Sequence, residues 1–408
     1  LNSLPLIFEK NIGQHDEKIQ FALNKKECTT FFNDNEIILS FRSNEKIQEL
    51  KELENSLILN EEDKKYSKYG INILRVSFEN GNKSPQIIGK NEFNCRLNYF
   101  KGENSLNWKC SIPLYEKLLY KEIYKGIDIL YYESEGTIKW EFQVSSKKSL
   151  DKILLNFQGA NNIYLDEEGN ININIKENIL KILNPRVTQE DGSCEVTGNF
   201  EINEEGKVKF CIQNYENEKN LKITLPIVFE KFNSTFVVDR GNSIAVDENK
   251  CIYITGEIGI QKYPNKKPHK NILEAKDYSA FLVKIDSSKK GQSALKYAAY
   301  IGGEKNDEGV GIAVDDEENA YIVGSTNSEY KFPITEKSYA SNYPGGNSTG
   351  FLIKIDTSKV GLNSFIYGTY LGGNLYDYAY SVAIDKNKNV LLQKRSANKK
   401  AWPNMWDV

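Results

Sequence analysis

A long internal repeat in the last third of the chain limits its fold more than any other feature. "NSIAVDENKCIYITGE" at 242–257 returns as "VGIAVDDEENAYIVGS" at 310–325, and "YSVAIDKNKNVLL" at 380–392 opens a third copy. "FLVKIDSSKKGQSALKYAAYIGG" at 281–303 returns as "FLIKIDTSKVGLNSFIYGTYLGG" at 351–373. Asp247 and Asp315 are 68 residues apart, and Asp286 and Asp356 are 70 apart. A chain with such a period stacks copies of one supersecondary unit, each burying an apolar face against the next.

Each copy holds four short runs rich in Val, Ile, Tyr, Phe and Ala. In the second copy they are 310–315, 319–325, 350–356 and 364–371. Asp, Asn, Gly, Ser and Lys fill the gaps, which is strand and turn chemistry. Four antiparallel strands per copy make one propeller blade. The offset between copies widens from 68 at Gly256/Gly324 to 70 at Lys284/Lys354, so the extra residues lie between the second and third strands. Strands hold register and loops absorb insertions. The blades should therefore superpose strand for strand and diverge at 257–280 against 325–349.

The pattern "Y-x-x-Y-[IL]-G-G … D … [IV]-A-[VI]-D … N-x-Y-[IV]-x-G … F-P … F-L-[IV]-K-I-D" resembles the SBBP-type β-propeller repeat of bacterial surface and secreted proteins. The resemblance covers roughly 234–392. It implies an extracellular or cell-surface propeller module and no defined enzymatic activity.

Residues 1–228 show alternation but no repeat: "EIILSF" at 36–41, "GIDILYYES" at 126–134, "TIKWEFQV" at 137–144, "NININI" at 170–175, "KVKFCI" at 207–212 and "LKITL" at 221–225. Turn signals separate these runs, which predicts an antiparallel, sandwich-like β domain. A helix is expected only at 45–58, where Ile47, Leu50, Leu53 and Leu57 share a face. "LPLIFEKNIGQHDEKIQFAL" at 4–23, "IPLYEKLLYKEIYKGIDILYY" at 112–132 and "NPRVTQEDG" at 184–192 resemble the uncharacterised β domain that commonly precedes SBBP repeats. The expected organisation is all-β: an N-terminal domain at 1–228, an incomplete propeller of two blades and the start of a third at 229–392, and an atypical tail at 393–408. The boundary should fall within 225–242. The tail reads "QKRSANKKAWPNMWDV" where the repeat should continue, as a truncated or frame-disrupted copy would.

Reactive chemistry is scarce. The only histidines, His15 and His269, match no nucleophile-elbow or zinc-protease pattern and read as polar surface residues. No phosphate-binding glycine loop is present, and no cofactor is expected. The six cysteines, at 28, 95, 110, 194, 211 and 251, form no C-x-x-C pair. Cys95 with Cys110, or Cys194 with Cys211, would suit a bridge between neighbouring strands, but free thiols are the preferred reading. A net charge of −3 gives no electrostatic case for nucleic acid or an anionic membrane. No apolar run reaches spanning length. "DENKC", "DDEEN" and "DKNKN" look like pieces of Ca²⁺ loops but lack the distal Glu, and hairpin turns explain them better.

One constellation recurs. An Asp lies eight residues before the Asp of each "[IV]-A-[VI]-D": Asp239, Asp307 and Asp377. Each could accept backbone N–H groups and close the turn between blades, or the three could form a carboxylate ring that holds a cation. Recurrence in every copy favours turn closure. Strand direction puts these residues on one rim with the long loops, where Tyr330, Tyr339 and Tyr343 would stack on a sugar or peptide, or pack on their own blade. Phe332-Pro333 matches Tyr263-Pro264 and reads as an anchor. The function expected is a non-enzymatic surface or secreted binding or spacing module for an extracellular glycan or protein. The alternative is a glycan-active enzyme using rim carboxylates.

Overall fold

The computed structural model describes residues 6–396 except 26–27, 35, 43–70, 135–136, 146–149, 151, 177, 190–194, 217, 232–239 and 260–277. The segment expected to be helical, 45–58, lies outside the described residues, as do Asp239, Cys194, His269 and Tyr263. The described secondary structure is almost wholly strand, broken by short 3-10 turns.

In the N-terminal half the alternating runs are strands, with one face of each in a common core. Thr137–Val144 runs antiparallel between Ile127–Ser134 and Leu221–Lys231. The pairings can be followed from Lys109–Tyr124 through Phe8–Lys10 and round to Ile127–Ser134, which pairs again with Lys109–Tyr124. The sandwich-like domain is thus a circuit of antiparallel strands closed on itself, which removes the free edges along that circuit. Phe8, Tyr120, Phe142, Ile173 and Ile223 meet in its core.

The sequence alternation does not mark the two longest strands, Gln86–Lys101 and Lys109–Tyr124, each of 16 residues. They form a hairpin that leaves the domain and reaches the repeats.

The first blade is Arg240–Val246, Cys251–Gly259, Tyr278–Asp286 and Leu295–Gly302, and the second is Asp307–Val314, Asn319–Thr326, Thr349–Asp356 and Phe365–Leu371. Asp377–Ile384 and Val390–Ser396 form the first hairpin of a third. The copies share register down to their irregularities. The first strand bulges at Gly241/Ser243, Gly309/Gly311 and Ala379/Ser381, and the third at Lys284/Ile285 and Lys354/Ile355. Most of the 257–280 loop expected to diverge lies outside the described residues.

The blades stack face to face. Tyr253, Ala280 and Leu282 of the first meet Ile322, Phe351 and Ile353 of the second. The second blade's opposite face, through Tyr321 and Leu352, meets Ala379, Val382 and Val390 of the third.

The two halves are not joined by the connecting chain alone. Leu97–Lys101 of the long hairpin pairs in parallel with Ala298–Gly302 at the outer edge of the first blade. A parallel partner distant in sequence leaves no pattern in either strand. At the hairpin tip, Phe100, Trp108 and Phe365 form an aromatic cluster with ring centroids 4.6–5.1 Å apart, so the hairpin also grips the second blade.

Candidate functional site

The recurring Asp residues sit in the turns that lead from one blade's outer strand to the next blade's inner strand. Asp307 is completely buried. Its Oδ2 accepts the Gly303 N–H at 2.7 Å and the Ser328 hydroxyl at 3.2 Å, and its Oδ1 accepts the Thr326 hydroxyl. A Cβ on Gly302 would collide with the Asp307 carboxylate, and one on Gly303 with Ser328. The Gly-Gly and the Asp of the repeat are therefore one device. The glycines leave room for a carboxylate that closes the turn over their own backbone.

Asp377 repeats the device one blade later. It is completely buried, and its Oδ2 accepts the Gly373 N–H at 2.7 Å. Asp307 is engaged in its own connection through both oxygens, and Asp377 through Oδ2, its buried Oδ1 having no partner among the described residues. Among the described residues no three His, Cys, Asp or Glu side chains come together as a cation site. Burial pushes the Asp307 carboxyl up to about 7, against the lowering pull of Thr326, Gly303, Lys101 and Ser328. That value would suit a general acid, but the group is sealed from solvent and both its oxygens are engaged.

The structure brings the two ends of the long loop to the same rim, while its middle runs along the outer strand, where the Thr335 N–H donates to Gly368 O and the Tyr370 N–H to Ala340 O. Ser328, which follows the second strand, bonds Asp307; Ser348, which precedes the third, accepts the Asp377 N–H at 3.1 Å. The three tyrosines have different fates. Tyr343 packs edge-on against Tyr370 at 5.4 Å and donates its hydroxyl to Gly346 O at 3.1 Å, so it belongs to the loop's own packing. Tyr330 and Tyr339 are 59% and 50% exposed. Phe332 is buried against Phe351 and Tyr370, the anchor that its repeated position implied.

The Ca²⁺-like turns also have local partners. Asp247, Asp315 and Asp385 each accept the N–H four residues on, at 2.8–2.9 Å, as hairpin closure requires. The neighbouring charges pin blade to blade. Lys284 of the first blade is buried, donates to Glu318 of the second at 2.7 Å, and lies 5.1 Å over the Tyr253 ring. Lys388 of the third meets Glu317 of the second at 2.5 Å.

One constellation was missed by sequence reading, and it corrects the view of His15 as a surface residue. The His15 side chain is only 5% exposed, with Nε2 2.5 Å from Glu9 Oε1. Glu9 is 3% exposed, and the Tyr99 hydroxyl lies 3.0 and 2.8 Å from its two oxygens. Asn11 shapes the loop that presents His15. Its Oδ1 accepts the Gly13 and His15 N–H groups, and its Nδ2 donates to Asp16 O and Ile19 O. The "NIGQH" segment carried the signal, a turn-forming Asn beside a lone His. Its partner Tyr99, far along the chain, did not. Burial in the same region pushes the Cys95 thiol up to about 12 and the Cys110 thiol up to about 11. Both stay protonated at neutral pH, the opposite of an activated nucleophile. Cys95, Cys110, Cys211 and Cys251 stand as thiols.

A family model described as a domain of unknown function (DUF7948) matches residues 8–224, and one described as a beta-propeller repeat (SBBP) matches residues 296–331. The second match runs from the outer strand of the first blade through the first hairpin of the second, so the sequence unit straddles two blades. No curated protein matches the chain.

Proposed function

The chain belongs to the DUF7948 family and carries an SBBP propeller repeat behind that domain, and from this premise we propose that it is a non-enzymatic binding protein of the bacterial surface or exterior. The rim that carries the long 327–348 loop is its ligand face. The supporting observation is how the rim divides its residues. Asp307 and Asp377 are buried in turn closure, while Tyr330 and Tyr339 of the long loop stand exposed. A rim whose carboxylates are internal and whose aromatics are external suits adhesion better than acid–base chemistry. Exposed tyrosines offer rigid, amphipathic contact area to a sugar ring or peptide at little cost in side-chain entropy.

Glycan and peptide arrays probed with the protein and with a Tyr330→Ala/Tyr339→Ala double variant test the reading. Binding by the parent and its loss in the folded double variant is the expected result. Glycoside or ester turnover that disappears in a folded Asp307→Asn variant would replace this reading with the glycan-active enzyme. Protease treatment of intact cells tests the location, and a protein shielded from external protease would remove the surface assignment.

A further inference from the structure

Between the N-terminal domain and the first blade lies a cavity of about 440 Å³. We propose that it binds a small molecule with an apolar body and a positively charged amine head, the head resting on the Glu9 carboxylate. This proposal does not depend on the function proposed for the rim.

The cavity arises because the blade faces a partner that is not a blade. In the second blade, Phe351 and Ile353 are fully buried against the first blade. Their counterparts Phe281 and Val283 face the N-terminal domain instead and are only half-buried. Both line the cavity, opposite Leu97 and Leu114 of the long hairpin. Protein interiors are close-packed, and voids much larger than a water molecule are few. A chamber of this size falls within the range of ligand pockets, roughly 300–1,000 Å³.

The polar groups on its wall decide the ligand. Among the described residues, the polar side chains lining it are Glu9, Asn24, Arg240 and Tyr300. Arg240 has its own partner in Glu257 at 3.1 Å. Glu9 is held from behind by Tyr99 and His15. The Tyr99 hydroxyl has one hydrogen and the His15 Nε2 one, whereas a carboxylate offers about four acceptor sites. Glu9 therefore keeps acceptor capacity in an apolar setting, where a carboxylate is costly unless paired. An ammonium group supplies both charge and donors. A carboxylate head would meet repulsion, and a hydroxyl head would pair without neutralising.

The test titrates the full chain with octylamine, octanol and octanoate by calorimetry. Octylamine should bind at one site per chain, at least tenfold more tightly than octanoate. Glu9→Gln should weaken octylamine at least tenfold and leave octanol within about twofold. Val283→Trp, on the opposite wall, should abolish octylamine binding by filling the space, and it provides the test if Glu9→Gln fails to fold. Octanoate binding as well as octylamine, octylamine binding unchanged in folded Val283→Trp or Glu9→Gln, or no binding of any probe would each overturn the proposal.

Discussion

The first and second blades are two copies of one sequence that meet different neighbours. Both have four strands, with bulges at matching positions in the first and third. On the inner strand, Ile312 of the second blade is 7% exposed under the first blade, while its counterpart Ile244 is 63% exposed. On the third strand the second blade is sealed, while the first borders a cavity. A repeat specifies the blade, but what buries a residue is the surface placed against it. The N-terminal hairpin covers the outer part of the first blade through pairing with its edge strand and leaves Ile244 and Val246 open.

The sharpest way to break this comparison is to put the same charge on both copies. Ile312→Asp should cost about 5 kcal/mol, because it buries an unpaired carboxylate. Ile244→Asp should stay within about 0.5 kcal/mol. Urea unfolding of both variants checks it, and equal losses would mean that the faces are equally covered in solution.

Next comes the clasp that makes the first blade different. Phe100 is fully buried between Trp108 and Phe365. Phe100→Ala should cost about 3–5 kcal/mol and separate the unfolding of the N-terminal domain from that of the blades. A single, unshifted calorimetric transition would show that the hairpin does not couple them.

Asp307 sharpens the comparison through pH. Its carboxyl is raised from 3.8 to about 7 in the folded protein by burial. The folded state therefore holds a proton that the unfolded chain has released. The stability this contributes is present below pH 4 and is lost as pH rises from about 4 to 7, at most about 4 kcal/mol. Asp307→Asn should flatten that slope in melts recorded across the window, and an unchanged slope would assign it to other groups.

The smallest effects separate the two blade seams. Glu318→Ala leaves Lys284 buried without its carboxylate and should cost about 1–3 kcal/mol. Glu317→Ala breaks a pair whose partners are 32% and 67% exposed and should cost less than about 1 kcal/mol. Thermal melts of the two variants rank the seams, and the reverse order would mean that burial is not what sets them apart.

What the sequence determined by itself was local and periodic. Alternation marked Thr137–Val144 and Leu221–Lys231, because period-two patterning is the imprint of a strand with one buried face. The repeat marked the blades, the anchor Phe332 and the turn-closing role of Asp307, because identical turns need identical residues. Sequence reading also placed Asp307 and the ends of the long loop on one rim, since strand direction alone dictates it, but not the course of the loop's middle along the outer strand. Which tyrosines would be free there it left open: Tyr343 is tied to Tyr370 and Tyr330 is not, through contacts outside the repeat pattern. Only the tertiary structure decided the rest. Leu97–Lys101 beside Ala298–Gly302, the Glu9–His15–Tyr99 cluster and the cavity all join segments far apart in the chain. Such contacts depend on how two finished surfaces meet, and neither segment's sequence carries a periodic record of the other.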